Sequence, residues 1–408
     1  MRVFKTIDDL EVAGRRVLLR GDLNVPMADG RVTDTTRLDR LAPTINELAD
    51  KGARVIVLSH FGRPKGKPAP EFSLRPVAAA LETALKSAHK SALGGRKVAF
   101  APDCIGEAAS AVTQALGDGE VAVLENLRFH AGEEANDPGF AAALAALGDL
   151  YVNDAFSAAH RAHASTEAIA RLLPAAAGRA MQAELEALSG ALDVPERPLA
   201  ALIGGAKVST KIAVLENLAG RVDAIVIGGA MANTFLHARG IDVAASLLEP
   251  DFVDTARGVE AAAMKAGCAL LLPEDAVVAA KLAPDVETQT APIGEVPAGT
   301  MILDIGPASV AALNAAMEDW RTLVWNGPLG AFEVPPFDAG TVAVARAAAA
   351  RTKAGTLLTV AGGGDTVAAL AHAGVVHDFS YVSTAGGAFL EWLEGKALPG
   401  VEALRRAG

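Results

Sequence analysis

Residues Pro198–Leu215 read Pro-Leu-Ala-Ala-Leu-Ile-Gly-Gly-Ala-Lys-Val-Ser-Thr-Lys-Ile-Ala-Val-Leu, close to the midpoint of a 408-residue chain. Leu199–Ile203 is an unbroken apolar run, too short for a helix, of the kind carried by a parallel strand buried on both faces. Gly204 and Gly205 let the backbone turn sharply and come close to a ligand. A helical spacing follows, with Val208, Ile212 and Leu215 on one face. Lys207 and Lys211, four apart, are expected to share a face in the first turns of that helix. Free N–H groups and the positive end of the helix dipole lie at the same place. Two ammonium groups over a helix N-terminus suit a polyphosphate, although a structural corner with two solvated lysines has the same sequence. Neither a Walker A loop nor a three-glycine dinucleotide fingerprint is present here. Alone, the stretch points to an anion and no further.

A chain of this length is expected to form two domains of roughly 200 residues each. Hydrophobic residues make up 51%, enough for buried sheets, while aromatics at 4% argue against base-stacking surfaces and so against nucleic acid. The net charge of −11 is unevenly placed. Residues 1–180 hold 22 Lys+Arg and 22 Asp+Glu; the remaining 15 cations (37 − 22) face 26 carboxylates (48 − 22). An acidic half that binds phosphate must concentrate its few cations, which gives Lys207 and Lys211 weight. Cys104 and Cys268 are the only cysteines, which excludes a disulfide framework or a cysteine zinc cluster and suits a reducing cytosol. The first residues turn acidic before an apolar stretch could form, so no signal peptide is expected. No run of about 18 apolar residues predicts a membrane span.

Along the chain, short apolar runs end in polar or glycine clusters and are followed by amphipathic, often Ala-rich segments. The first half carries Val17–Arg20, Val55–Ser59, Val98–Phe100, Val121–Leu124 and Leu150–Val152. The second carries Leu199–Ile203, Ala224–Ile227, Ala269–Leu272, Met301–Ile305, Thr322–Trp325, Leu357–Val360 and Tyr381–Val382. This alternation predicts an α/β fold with two doubly wound parallel-sheet domains. The series splits near Arg171–Pro198, where Met181–Leu192 reads as a linking helix able to act as a hinge.

Ligands of open parallel sheets bind beyond the C-terminal strand ends. Those ends carry Asp22 and Asn24, His60 and Arg63, Asn126 and Arg128, and Asn153 and Asp154 in the first half. In the second half they carry Gly204-Gly205, Gly228-Gly229, Asp304 and Gly306, Asn326, and Gly362-Gly363-Gly364-Asp365. Such a division suggests a small anion on one domain and a nucleotide on the other. Single residues say less. His60 could equally make a structural hydrogen bond, Arg37 could be a solvated helix residue, and Glu333 could be a surface glutamate rather than a ribose ligand. His160 and His163 lack a third ligand nearby, which argues against metal. A carboxylate such as Asp365, behind three glycines and before a helix, can hold Mg²⁺ if phosphates share it.

With these residues in view, the chain resembles the phosphoglycerate kinase family along nearly its whole length. Eight ordered motifs carry the likeness. Four lie in the first half: Leu-Leu-Arg-Gly-Asp-Leu-Asn-Val-Pro (18–26), Ser-His-Phe-Gly-Arg-Pro (59–64), Leu-Glu-Asn-Leu-Arg-Phe (124–129) and Asn-Asp-Ala-Phe-Ser-Ala-Ala-His-Arg-Ala-His (153–163). Four follow: Gly-Gly-Ala-Lys-Val (204–208), Trp-Asn-Gly-Pro-Leu-Gly (325–330), Gly-Gly-Gly-Asp-Thr (362–366) and Leu-Glu-Gly-Lys-Ala-Leu-Pro-Gly-Val (393–401).

The resemblance implies two Rossmann-like domains facing a central cleft. Residues 1–175 would bind phosphoglycerate, 176–198 form the hinge helix, 199–390 bind nucleotide, and 391–408 pack back on the first domain. It further implies a cytoplasmic glycolytic monomer that moves the acyl phosphate of 1,3-bisphosphoglycerate to Mg-ADP, giving 3-phosphoglycerate and ATP. By that likeness Asp22, Asn24, Arg37, His60, Arg63, Arg128 and Arg161 would hold phosphoglycerate. Lys211, Gly228, Gly229, Gly306, Asn326, Glu333, Gly363, Gly364, Asp365 and Thr366 would hold the nucleotide, with Asp365 toward Mg²⁺. Arg37, Lys207, Gly386 and Gly387 would surround the phosphoryl in flight. The family usually shows a glycine at position 385; Ala385 fits there if its φ is negative. Two other classes share parts of this pattern: a nicotinamide-dependent oxidoreductase, which needs the missing fingerprint, and a catalytically silent phosphometabolite-binding protein, which would be expected to lose Lys207, Arg37 or Asp365.

Overall fold

The computed structural model describes residues 4–88 and 96–406. The chain divides into two compact units, Met1–Leu185 with Ala397–Gly408, and Glu186–Lys396. The division falls inside the helix Arg179–Leu192. No helix among the described residues is long and apolar enough to cross a membrane.

Each unit is built on six parallel strands. In the first the order across the sheet is Val98–Ala101, Val121–Leu124, Arg54–Leu58, Arg16–Arg20, Leu150–Asn153, Ala175–Ala177. Central strands such as Val121–Leu124 and Leu150–Asn153 are buried along their entire length, which is why they are continuous apolar runs rather than alternating ones. The helices Thr36–Asp50 and Arg75–Ala88 cover one face, where Leu38, Leu41, Ile45, Val77 and Leu81 pack against the strand valines. The order reverses between Arg16–Arg20 and Leu150–Asn153, so loops after these strands diverge and leave room for a ligand. The helix Pro399–Arg406 at the end of the chain belongs to this unit: Gly400 N donates to Ala159 O at 2.9 Å, and Leu398, Val401 and Leu404 are buried.

In the second unit the order is Ala269–Leu271, Ala224–Gly228, Leu199–Gly204, Thr322–Asn326, Leu358–Gly362, Tyr381–Ser383. Numbered along the chain this is 3-2-1-4-5-6, the doubly wound nucleotide-binding order, reversing between Leu199–Gly204 and Thr322–Asn326. The backbones meet closely at that reversal. A Cβ on Gly204 would lie 1.9 Å from Pro328 O, so no side chain fits there.

Two readings of the strands need correction. Met301–Ile305 is not part of the parallel series. It pairs antiparallel with Asp275–Ala279, which pairs in turn with Gln289–Pro292, forming a separate three-stranded sheet over its own small core of Leu236, Val243, Ala276, Val278 and Ile293. The first unit also has a strand not read from sequence, Ala175–Ala177, whose three alanines carry no β-branched signal.

The helix after Gly205 is corrected as well. Val208–Thr210 forms a 3₁₀ turn and the α-helix begins only at Ile212, running to Ala219. Lys207 (φ −134°) and Lys211 (φ −123°) precede these two segments as caps, so they do not share an α-helical face. Val208, Val214, Leu215 and Leu218 are the buried anchors, at about 1.5–3 kcal/mol for each large side chain, and Ile212 is only half-buried.

Candidate functional site

In the first unit the strand ends bring a basic cluster together through a continuous chain of hydrogen bonds. Arg37, from the first turn of Thr36–Asp50, donates through Nη1 to both oxygens of Asp22 at 2.9 Å. Asp22 also accepts from Ser157 Oγ at 2.5 Å and from Asn24 N at 3.1 Å. Asn24 Oδ1 accepts from Gly62 N at 2.9 Å, and Gly62 O accepts from Arg128 Nη1 at 2.8 Å. Arg128 is nearly buried, with Nε 3.0 Å from Glu134 Oε1. Asn126 closes the frame by bonding both the N–H and the C=O of Phe61. Arg161 is half-buried close by and Arg63 is exposed beside Gly62.

His60 is held in one protonation state and one tautomer. Arg20 Nη2 lies 2.9 Å from His60 Nδ1. A guanidinium can only donate, so Nδ1 accepts and the ring proton sits on Nε2. Burial, with the charges of Arg20, Arg128 and Arg161, pushes the imidazole pKa well below its usual value. His60 is therefore a neutral Nε2–H donor. Arg20 is itself fixed from behind: its Nε donates to Ser165 Oγ at 2.9 Å, and Ser165 Oγ donates to Glu133 Oε1 at 2.6 Å. Burial raises the Glu133 pKa, opposed by Arg20 and Ser165.

In the second unit the reversal point opens into a cleft of about 420 Å³. Gly205, Gly229, Leu303, Asp304, Glu333 and Asp365 are among its walls. Gly229 has φ +70°, and a Cβ there would lie 2.6 Å from Gly205 O. Only glycine joins the strand Ala224–Gly228 to the helix Ala230–Ala238 in this way. Gly363, with φ +101°, does the same between Leu358–Gly362 and the helix Gly364–His372, where a Cβ would meet Asn326 Nδ2 at 2.5 Å.

The helix Gly386–Leu393 starts nearby. A Cβ on Gly386 would stand 3.9 Å from Gly364 N, so two helix N-termini open side by side, with no side chain at the first position of either. Their unpaired N–H groups and dipoles favour an anion. Ala385, which caps the second helix, has φ −97°, so its methyl group is accommodated without left-handed strain.

Lys211 Nζ donates to Asn326 Oδ1, while Asn326 Nδ2 donates to Gly362 O at 2.7 Å. Burial lowers the Lys211 pKa, and the charges of Asp365 and Glu394 oppose that. Lys207 is exposed, as are Glu333 and Asp365 on the cleft wall. Thr366 is buried, its Oγ1 accepting from Gly327 N at 2.7 Å. Gly228 ends its strand against Leu329. Gly306 sits against the Asp275 carboxylate, which accepts from Ala308 N and Ser309 N and so caps the helix Pro307–Ala316.

Comparison with known proteins decides the family. The family model described as phosphoglycerate kinase matches residues 7–396. A phosphoglycerate kinase from Methylorubrum extorquens is 63% identical over 409 residues, covering 100% of both chains. One from Sinorhizobium medicae is 60% identical, covering 99% of each. The solved structure of phosphoglycerate kinase from Coxiella burnetii aligns with TM-score 0.91 at 42% identity, over 99% of this chain and 100% of that one. The chain belongs to the phosphoglycerate kinase family.

That makes it a phosphotransferase, and neither the oxidoreductase nor the silent binding protein finds support among these phosphoglycerate kinase relatives. Within this phosphoglycerate kinase chain, direct bonds join Arg37, Asp22, Asn24 and Arg128 through Gly62, and set His60 against Arg20. Lys211, Asn326 and Gly363 form a second group, with Gly364 and Gly386 at the paired helix ends. Sequence reasoning missed Arg20, Ser157, Ser165 and Glu133 as the supports of the basic cluster. Arg20 stood inside a quoted motif. Ser157 did too, whereas Ser165 and Glu133 gave no local signal.

Proposed function

We propose that the first unit binds the phosphoglycerate and the second the nucleotide in reversible transfer of an acyl phosphate from 1,3-bisphosphoglycerate to ADP. The observation that carries this reading is the segregation of donors: charged side chains cluster in one unit, while glycine-started helix N-termini and Lys211 cluster in the other. Arg37, Arg63, Arg128 and Arg161 supply positive charge, Asn24 and the His60 Nε2–H supply neutral donors, and Asp22 fixes Arg37. In the second unit the N-termini of Gly364–His372 and Gly386–Leu393, with Lys211, face phosphate, and Glu333 offers a carboxylate to the ribose.

Asp365 suits a Mg²⁺ shared with phosphates, being an exposed carboxylate on the cleft wall in the first turn of its helix. When bound, the ion would neutralise phosphate charge. Both oxygens that compete for the phosphoryl group, a carboxylate and a β-phosphate oxygen, are already ionised near neutral pH, so no general base is needed. The requirement is positive charge around the transferring group: Arg37 from one side, Lys207 and the Gly386–Gly387 helix end from the other. This reading requires the two units to close over both substrates, with Arg179–Leu192 as the hinge, since water would otherwise compete for the phosphate. Two buried free cysteines suit the reducing cytosol.

A coupled assay of ATP formation from ADP and 1,3-bisphosphoglycerate tests the reaction; no turnover sinks it. Small-angle scattering tests closure. The radius of gyration is expected to fall with 3-phosphoglycerate and Mg-nucleotide together more than with either alone, and a ternary complex scattering like the free enzyme excludes it.

A further inference from the structure

Beyond the basic cluster, the C-terminal ends of two neighbouring strands of the first unit, Val98–Ala101 and Val121–Leu124, lead to a group the phosphotransfer reading does not use. Asp103 and Cys104 follow the first strand, and His130 follows the 3₁₀ turn Leu127–Phe129 after the second. One ligand atom from each of Asp103, Cys104 and His130 lies within 4.8 Å of the other two. His130 Nε2 is 2.7 Å from Asp103 Oδ1, which also accepts from the Cys104 backbone N–H at 2.7 Å. The imidazole stacks on Phe140 with ring centroids 5.3 Å apart, which holds its plane. The thiol is fully buried, whereas the Asp103 and His130 side chains are 43% and 31% exposed, so the group is closed behind and open in front. The Asp103 carboxylate at the open front favours a cation there.

We propose that Asp103, Cys104 and His130 form a binding site for a borderline-soft divalent ion of the Zn²⁺ or Co²⁺ class. A thiolate, an imidazole and a carboxylate are the donor set such ions select, and the open front leaves the fourth tetrahedral position to water. Mg²⁺, which takes oxygen ligands, is excluded by the same donors. Binding forms a sulfur–metal bond as the Cys104 proton leaves to solvent, and a nitrogen–metal bond once the His130 proton has moved from Nε2 to Nδ1. The Asp103–His130 hydrogen bond gives way to two metal bonds. The ion then ties the end of Val98–Ala101 to the turn that carries Arg128, two residues before His130.

The test uses full-length protein stripped with chelator and titrated with Co²⁺. One equivalent is expected to give a near-ultraviolet thiolate-to-cobalt band and the strong visible bands of a tetrahedral site, displaced by Zn²⁺ and not by excess Mg²⁺. Cys104→Ser abolishes the near-ultraviolet band and Cys268→Ser keeps it. His130→Ala and Asp103→Asn weaken binding by at least about tenfold. Circular dichroism of the metal-free variants verifies that each is folded, and the solvent-facing Asp103→Asn gives a second arm if the buried cysteine variant is not. Absence of the band in the wild-type protein, or its survival in folded Cys104→Ser, overturns the proposal.

Discussion

The two units solve the same electrostatic problem with different parts. The first gathers long cationic side chains, three of which are braced. Arg37 leans on Asp22, Arg128 on Glu134 and Gly62, and Arg20 on Ser165 and His60. The second uses the backbone, with glycine at Gly229, Gly363, Gly364 and Gly386 where helices begin. Guanidinium groups carry full charge but need carboxylates nearby to stay in place, which dilutes the field. Helix N-termini carry about half a charge each but are rigid without any counter-ion. An acidic half can therefore hold a polyphosphate with few cations.

That contrast breaks first at Lys207. If its exposed ammonium acts mainly in the transition state, Lys207→Ala should lower kcat by about 10²–10³, the scale of one preorganised donor, with KM values much less changed. A variant with normal kcat and a raised nucleotide KM would place Lys207 among ground-state contacts instead.

Next comes Arg128→Ala. Calorimetry should show 3-phosphoglycerate binding weakened by roughly 10- to 100-fold, the range for a charge-assisted hydrogen bond, with ADP binding nearly intact. Equal loss of both ligands would end the division of labour. The mirror experiment is Gly229→Ala, where φ +70° and the approach of Gly205 O leave no room for a methyl group. The cleft wall must shift to admit the methyl group, on top of about 1–2 kcal/mol of left-handed strain, so nucleotide affinity should fall by at least about tenfold while 3-phosphoglycerate affinity holds.

The smallest effect is in pH, and its sign differs between the units. His163 is pushed down to about 4 by burial and by Arg128, Arg20 and Arg161. Between the ordinary histidine value and about 4, acidification protonates the unfolded chain before the folded one, so this residue costs stability as pH falls. Asp304 is raised by burial to about 7, against the hydrogen bonds from Gly340 N and Ile305 N that favour its charge. Its folded form takes a proton first, so its contribution is full below the ordinary aspartate value and is lost as pH rises through about 7. Relative to wild type, His163→Gln should gain in Tm as pH falls from 6.5 to 5, and Asp304→Asn should gain as pH rises from 5 to 7.5, each by roughly a few degrees. The same slope in both comparisons would contradict these assignments.

Much of this architecture was legible because parallel strands buried on both faces must be apolar runs, and their C-terminal ends must carry the chemistry. Asp22, Asn24, His60 and Arg128 are read at strand ends by position alone, and that is where they lie. Met301–Ile305 misled because a mostly apolar run looks the same in an antiparallel sheet, and Gln289–Pro292, on the far side of Asp275–Ala279, is mostly exposed and shows no apolar run. The lysine pair misled because periodicity passes smoothly through Lys211, whereas the backbone breaks there. The braces were invisible for a different reason. Arg20 meets Ser165 across 145 positions and Ser157 meets Asp22 across 135, and no local pattern encodes such a meeting.

One feature of the first unit governs the order in which the protein can be made. Its sheet is complete by Ala177, yet Leu398, Val401 and Leu404 follow the whole of the second unit. On the ribosome, the second unit emerges whole while the first still waits for its closing helix. Until then the surface around Ala159 stands bare. A stalled or truncated product should therefore expose it to proteases and chaperones even when every catalytic residue has been synthesised.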